Sequence, residues 1–228
     1  MKNIEKNKKL FIVGIGETAK LAYEYFTYDS NYDVVGFVAD KKYITESLFN
    51  GLPVSAIEDI LTVYSPAEYE GFVAFSSGML NYQRSRMYYH LKCLGYKFAT
   101  YVSSRAFVWR NVRIGENCFI LEDNTLQPFT EVGNNVVMWS GNHLGHSSVI
   151  RDNCFITSHV VISGFCEIGE NTYMGVNSAV ADEVVIARDN YIAMGAMINK
   201  STVENSIYTG NPAQASKVSA KRFCKVKE

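Results

Sequence analysis

Between residues 114 and 198 every sixth residue is aliphatic. The series reads Ile114, Ile120, Leu126, Val132, Met138, Leu144, Ile150, Ile156, Ile162, Ile168, Met174, Val180, Ile186, Ile192 and Ile198. Ile, Leu, Val and Met make up about a quarter of the chain, so chance would fill roughly four of these positions. Val102 and Val108 carry the register backward. Two residues before each aliphatic stands a small or medium one: Val112, Cys118, Asn124, Thr130, Val136, Asn142, Ser148, Cys154, Val160, Cys166, Thr172, Ser178, Val184, Asn190, Ala196. Neither the 3.6-residue period of a helix nor the 2-residue period of a strand produces this pattern. A parallel β-helix with flat faces does. Each hexapeptide makes one short strand and one turn, and three of them make an 18-residue coil. The aliphatic residue then fills the interior, the small residue fits near a corner, and about five coils stack at roughly 4.8 Å.

Glycines 115, 133, 145, 169 and 175 fall just after the aliphatic position, where a corner is expected and small size helps. Cys118, Cys154 and Cys166 occupy the small position, so they read as packing residues and not as nucleophiles. Cys93 and Cys224 lie outside the repeat. Five widely spaced cysteines with no CxxC pair predict neither a disulfide framework nor a zinc site, and point to a reduced, cytoplasmic setting. The opening MKNIEKNKKL is basic, but the apolar stretch after it is too short and interrupted for a secretion signal. No apolar run approaches a membrane span. The 22 basic and 23 acidic side chains give a net charge of −1, without the basic excess that nucleic-acid binding by counterion release needs.

Residues 9–100 have a different character. Strands are expected at Lys9–Val13, Asp33–Ala39, Gly71–Phe75 and Tyr96–Val102, and helices at Lys20–Phe26 and Asn81–Leu94. Alternating strands and helices predict a small α/β domain with a parallel sheet. The turn Gly14-Ile15-Gly16-Glu17-Thr18-Ala19 sits after the first strand and before the first helix, where backbone N–H groups can approach a phosphate. Asp40 ends the second strand, near where a ribose-binding carboxylate would lie. Ala19 replaces the third glycine, and some 90 residues are few for a dinucleotide domain. A nucleotide-sugar site is therefore expected in preference to a redox-cofactor site.

Three of the four histidines, 143, 146 and 159, fall in the repeat, and the fourth, His90, lies in the second expected helix. In this register His143 and His146 both project off the prism. Gly145 and Ser147 leave His146 uncrowded, and Gly164 lies eighteen residues on, one coil above it. A base beside a backbone N–H is a plausible acyl-transfer arrangement. A metal site from His143 and His146 is not expected, because the segment is not helical and no acidic cluster accompanies the pair.

The hexapeptide run, the short nucleotide-binding domain ahead of it, the stretch GNHLGHSSVI and the ending YTGNPA resemble the bacterial left-handed β-helix acyltransferases. The nearest are the nucleotide-sugar N-acetyltransferases of the bacillosamine and perosamine type, with sialic acid O-acetyltransferases as kin. The resemblance covers about residues 8–215. It implies a Rossmann-like nucleotide-sugar domain over 1–101, a left-handed β-helix over 102–210 and a tail over 211–228. It implies a homotrimer with acetyl-CoA between neighbouring β-helices. His146 would be the general base and the Gly164 N–H the donor to the thioester carbonyl. Gly164, Val176, Ala193, Met194 and Gly195 would line the acetyl-CoA site. Gly14, Gly16, Thr18, Asp40 and Lys41 would hold the nucleotide, and Asn142 and His143 the sugar. Ser147 follows the histidine where relatives often carry Glu or Asp, leaving Asp123 and Asp152 as candidates to orient the imidazole.

The expected chemistry is direct attack of a sugar amine on acetyl-CoA. No acyl-enzyme and no metal are involved. The alternatives are O-acetylation of a sugar or sialic acid, and a β-helix scaffold without chemistry. Outward residues Trp139, Phe155 and Tyr173 are expected to leave the prism partly apolar for trimer contacts.

Overall fold

A computed structural model of the chain describes residues 4–211 and 214–227. The Pro-Ala of the YTGNPA ending lies outside the described residues. The chain forms two compact units: Met1–Ser76 with Arg86–Tyr101, and Ser77–Ser85 with Val102–Glu228.

The first unit is built on a five-stranded sheet. Its strands are β1 (Lys8–Val13), β2 (Tyr32–Ala39), β3 (Leu48–Phe49), β4 (Leu52–Ala56) and β5 (Tyr69–Val73), in spatial order β3-β4-β2-β1-β5. β1, β2, β4 and β5 are parallel, and β3 runs antiparallel to β4. The helices are α1 (Glu17–Asp29), α2 (Ile60–Val63) and, from Arg86 on, α3 (Tyr82–Cys93), whose first four residues belong to the second unit. β1 is an interior strand, flanked by β2 and β5, and its last four residues are buried, which matches its unbroken apolar run, LFIV. Phe11 stacks on Tyr64 at 5.1 Å and meets Tyr96 edge-on at 5.1 Å, in a core with Val13, Val38, Val73 and Leu91.

Two features of this unit differ from the sequence expectation. Residues 96–102 do not form one long strand: Phe98 makes a single bridge to Gly71, and only Tyr101–Val102 are extended in a ladder. The β3–β4 hairpin was not expected. Its signal is the Asn50-Gly51 pair, both at positive φ (48° and 77°), a two-residue hairpin turn.

In the second unit the hexapeptides form two-residue strands every six residues, from Phe107–Val108 to Met197–Ile198, arranged in three sheets. Each strand pairs in parallel with the one eighteen residues away, as Thr125 with His143 and Leu126 with Leu144. Fourteen of the fifteen aliphatic positions are buried, and Ile114 at the open end is partly buried. The small positions from Cys118 to Ala196 are buried as well.

The corners show how the turn is made. From Asn117 to Gly195 every sixth residue has positive φ, at Asn, Asp, Gly and Ser but also at Phe129, His159, Phe165 and Glu183. The glycines at 115, 133, 145, 169 and 175 stand two residues before this turn position and have ordinary φ. A Cβ on Gly145 would lie 2.5 Å from the Ser163 carbonyl carbon, and one on Gly175 2.4 Å from the Met194 nitrogen. Their role is close approach of the next coil, and the turn itself is carried by the left-handed residue.

Arg84, in the Ser77–Ser85 segment of this unit, is fully buried. Its guanidinium donates to the carbonyls of Asn135, Asn153 and Cys154 and lies over the Phe155 ring at 5.5 Å. Phe155, expected on an outward surface, is 5 % exposed. The tail also folds: Gln214–Ser219 pairs antiparallel with Ser206–Thr209, and a short helix follows at Ala220–Phe223.

Candidate active site

The three corners of the prism differ in chemistry. The first carries the turns at 128–129, 146–147, 164–165 and 182–183. At such a turn the ladder uses the N–H of the left-handed residue: Phe165 N–H donates to His146 O at 3.0 Å, and Glu183 N–H to Gly164 O at 3.0 Å. The N–H of the residue before it is left for a side chain or a ligand. His146 N–H donates to Gln127 Oε1 at 2.9 Å, and Gly164 N–H donates to Asp182 Oδ1 at 2.9 Å.

The exposed His146 ring folds over Gly164. A Cβ on Gly164 would lie 2.7 Å from His146 Cε1 and 2.9 Å from Nε2, so no side chain is compatible with this ring position. Phe165 meets the imidazole edge-on, with centroids 4.9 Å apart. Phe165 has φ +57° and is 58 % exposed; a bulky side chain in that conformation is strained. Among the described residues no side chain hydrogen-bonds the imidazole nitrogens, so the ring can exchange a proton with a ligand.

His146 and Gly164, the expected base and donor, are therefore brought together. Other expectations are corrected. The Gly164 N–H is not open but carries the Asp182 carboxylate. Neither candidate carboxylate orients His146. Asp123 lies on a second corner, paired with Arg105 at 3.4 Å. Asp152 lies on the third, accepting from Asn134 N–H at 2.7 Å. Asn142 is not a sugar contact: it is 2 % exposed, its amide N–H donates to Trp139 O, and its Oδ1 accepts from Val160 N–H at 2.8 Å. His143 is half-buried on the face between the second and first corners, in register with Thr125 and Val161. His159 folds down over Gly141 on the second corner, with Nδ1 2.6 Å from a Cβ placed there.

Val176, Ala193 and Met194 come together. With Tyr173, Tyr191 and Phe223 they line a cavity of about 560 Å³ on the apolar side of the last coils. Gly164 is on another corner and does not line it. Gly195 has φ +69°, a turn role. The tail residues Ser216, Val218 and Phe223 complete this cavity, which sequence reasoning missed because a six-residue period carries no information about a segment after the last repeat.

In the first unit, Gly14 and Asp40 follow the ends of the adjacent parallel strands β1 and β2, the edge at which open α/β sheets bind ligands. Gly14 has φ +120° and its N–H is used by Val38 O at 2.8 Å, so it shapes the turn and does not reach for phosphate. Gly16 precedes α1, whose first turn has no side-chain cap, and a Cβ on Gly16 would meet open space. Thr18 is half-buried in that first turn, and Lys41 is exposed just after Asp40.

Among the described residues no group of three or more His, Cys, Asp or Glu side chains is placed to hold a metal ion, and no helix is long and apolar enough to cross a membrane.

No protein-family model and no curated protein sequence matches the chain. Solved structures do. The acetyltransferase domain of PglB from Neisseria gonorrhoeae is similar at a TM-score of 0.82 and 22% identity, over 92% of this chain and 100% of that one. A second structure of that domain, in complex with acetyl coenzyme A, gives 0.61 and 21%, over 92% and 100%. PerB from Caulobacter crescentus, in complex with CoA and GDP-perosamine, gives 0.81 and 20%, over 91% and 97%. At about one residue in five identical, the likeness shows the fold, which this chain shares with these acetyltransferase structures.

Proposed function

We propose that this protein transfers an acetyl group from acetyl-CoA to the amino group of a nucleotide-linked amino sugar. The observation that carries the reading is the His146 ring, exposed and laid over Gly164, on a fold shared with acetyltransferases whose structures hold CoA and GDP-perosamine.

His146 takes a proton from the acceptor as its nitrogen attacks the thioester carbonyl. The Gly164 N–H stands outside the β-helix ladder, so it can be given to the developing oxyanion without breaking a coil. A well-placed donor of this kind contributes about 3–4 kcal/mol to the transition state. Holding two substrates in line supplies much of the remainder. The buried cysteines are not nucleophiles here: Cys118, Cys154 and Cys166 give their S–H to carbonyls of the next coil.

The N-terminal unit, read as a Rossmann-like domain over residues 1–101, binds the nucleotide. The uncapped start of α1 at Gly16 and Thr18 faces the phosphates, with Asp40 and Lys41 at the next strand end. Acetyl-CoA lies along the β-helix of residues 102–210 with Val176, Ala193 and Met194, and His143 contacts the sugar. Because Gly164 and Val176 stand on different corners, one acetyl-CoA engages both across two protomers of a homotrimer.

A screen of 3-amino- and 4-amino-sugar nucleotides and sialic acids, read by release of free CoA thiol, tests this. Thiol release with an amino-sugar nucleotide is the expected result. Release with sialic acids alone would move the protein to the O-acetylating class. Binding of neither CoA nor any sugar nucleotide would leave a scaffold.

A further inference from the structure

We propose that Asp182 makes acetyl transfer conditional on a cationic acceptor. Its carboxylate occupies the Gly164 N–H until an ammonium group draws it away and frees that donor for the thioester carbonyl. The inference rests on the acetyl-transfer reading and deepens it, by naming the residue that selects amines over hydroxyls.

The geometry begins with a spare donor. At the Gly164 turn the ladder is complete without this N–H, because Phe165 N–H and the Gly164 carbonyl carry the coil-to-coil bonds. Asp182 Oδ1 fills the vacancy at 2.9 Å. On the third corner the same turn position is filled the same way, by Asp152 on Asn134 N–H at 2.7 Å. There the carboxylate is half-buried and also approached by the Asn134 side-chain amide, at 3.4 and 3.5 Å. Asp182 is exposed, and among the described residues its one hydrogen bond is to Gly164 and no basic side chain pairs with it. It can leave its place at the cost of a single hydrogen bond.

Its place matters because the His146 ring lies over the same glycine. An acceptor nitrogen delivered to His146 arrives at the residue that also anchors the carboxylate. With Asp182 on the N–H, an oxyanion formed there would face a second negative charge and share its donor. Attack by water or by a neutral hydroxyl is then disfavoured, and bound acetyl-CoA is protected from hydrolysis. An amino sugar reaches the site mostly as R–NH₃⁺ and offers Asp182 a better partner than a backbone N–H. The carboxylate turns to the ammonium and the N–H passes to the carbonyl oxygen.

The step balances. One ammonium proton goes to His146, and the nitrogen lone pair attacks the carbonyl carbon. The C–N bond forms and the C–S bond breaks. The departing thiolate takes a second proton from nitrogen, and His146 returns its proton to water. The products are the N-acetyl sugar, CoA thiol and one proton.

Asp182→Ala tests the assignment with two defined probes, acetyl-CoA and CoA, which differ in the carbonyl that competes for the N–H. Titration calorimetry should show acetyl-CoA binding tightened by about tenfold in the variant, the size expected for one hydrogen bond gained, with CoA unchanged. Acetyl-CoA hydrolysis without acceptor should rise severalfold. Asp182→Asn keeps a side-chain oxygen for the N–H but removes the charge. It should lower kcat/KM for the amino-sugar nucleotide found in the screen by about tenfold, without lowering it for that sugar's hydroxyl counterpart. Equal changes for acetyl-CoA and CoA, an unchanged hydrolysis rate, or an unchanged amine-to-hydroxyl ratio would each overturn the proposal. A wild-type protein that binds neither CoA nor acetyl-CoA refutes the acetyl-transfer reading itself. One that binds both but is indifferent to Asp182 refutes this assignment alone.

Discussion

Two corners of the same β-helix put one backbone geometry to opposite uses. On the third corner the left-handed positions are Asn117, Asn135, Asn153, Asn171 and Asp189, each buried. Their side chains bond along the prism axis: Asn117 to Asn135 at 2.7 Å, Asn135 to Asn153 at 2.8 Å and Asn171 to Asp189 at 3.0 Å. Arg84 seals the middle of this ladder. On the first corner the equivalent positions are Phe129, Ser147, Phe165 and Glu183, and among the described residues no such ladder forms. Asparagine tolerates positive φ and satisfies its neighbours, so a run of it makes a corner that is finished internally. A corner with Phe in that conformation, an exposed imidazole and a carboxylate held by one bond is left unfinished. The contrast separates structure from chemistry in a repeat whose backbone is the same throughout.

The largest effect should come from breaking the unfinished corner. His146→Ala should lower kcat by about 10²–10⁴-fold with acetyl-CoA affinity nearly unchanged, as measured by steady-state kinetics and calorimetry. If His143→Ala carries the larger kcat loss, the two roles are reversed.

Breaking the sealed corner should cost stability instead. Arg84→Met leaves the Asn135 and Asn153 carbonyls short of a donor, a loss of about 2–4 kcal/mol in urea unfolding. Below its unfolding transition the variant should keep wild-type KM values. A variant that unfolds normally but loses activity would show that the corners are not separable.

A smaller effect is expected from the nucleotide turn. Gly16→Val adds a side chain where no protein atom lies within 4 Å, so it reports on a ligand. The sugar-nucleotide KM should rise by about tenfold, one charge-assisted contact, while that of acetyl-CoA stays within about twofold. Gly14→Val would be the poorer test, because φ +120° strains any side chain there.

The smallest effect concerns the thiols. Burial pushes the Cys154 thiol up to about 12 and raises that of Cys166. Near pH 8 the native protein should react with a thiol reagent at exposed Cys93 and spare the three repeat cysteines. A thiol raised in the folded state stabilises the chain fully below the value of its unfolded form, near 9. It withdraws that stability as pH climbs toward 12, so unfolding should become easier above about pH 9. Rapid labelling of all five cysteines in folded protein would contradict the packing described.

The β-helix and the packing role of Cys118, Cys154 and Cys166 were legible in the chain. So was the His146–Gly164 juxtaposition, because eighteen residues bring a position back above itself whatever its neighbours do. A strictly periodic backbone turns sequence distance into spatial distance. That rule fixes which residues stack, and it says nothing of where a side chain then goes. Asp182 is also eighteen residues from Gly164, yet only the folded turn showed that its carboxylate reaches the N–H the site needs. Asn142 stands at a small position of the repeat, and the resemblance offered it as a sugar contact; in the fold it is buried, its amide donating to Trp139 O and its Oδ1 accepting from Val160 N–H. Phe155 alternates outward and is nevertheless covered by Arg84. The cavity at Val176 and Met194 depends on a tail beyond the last repeat. The repeat is a local rule enforced by interior packing at every coil, so the order of residue types along the chain carries it. The site depends on side-chain hydrogen bonds and on segments that return from far along the chain, which become definite only once the coils are stacked.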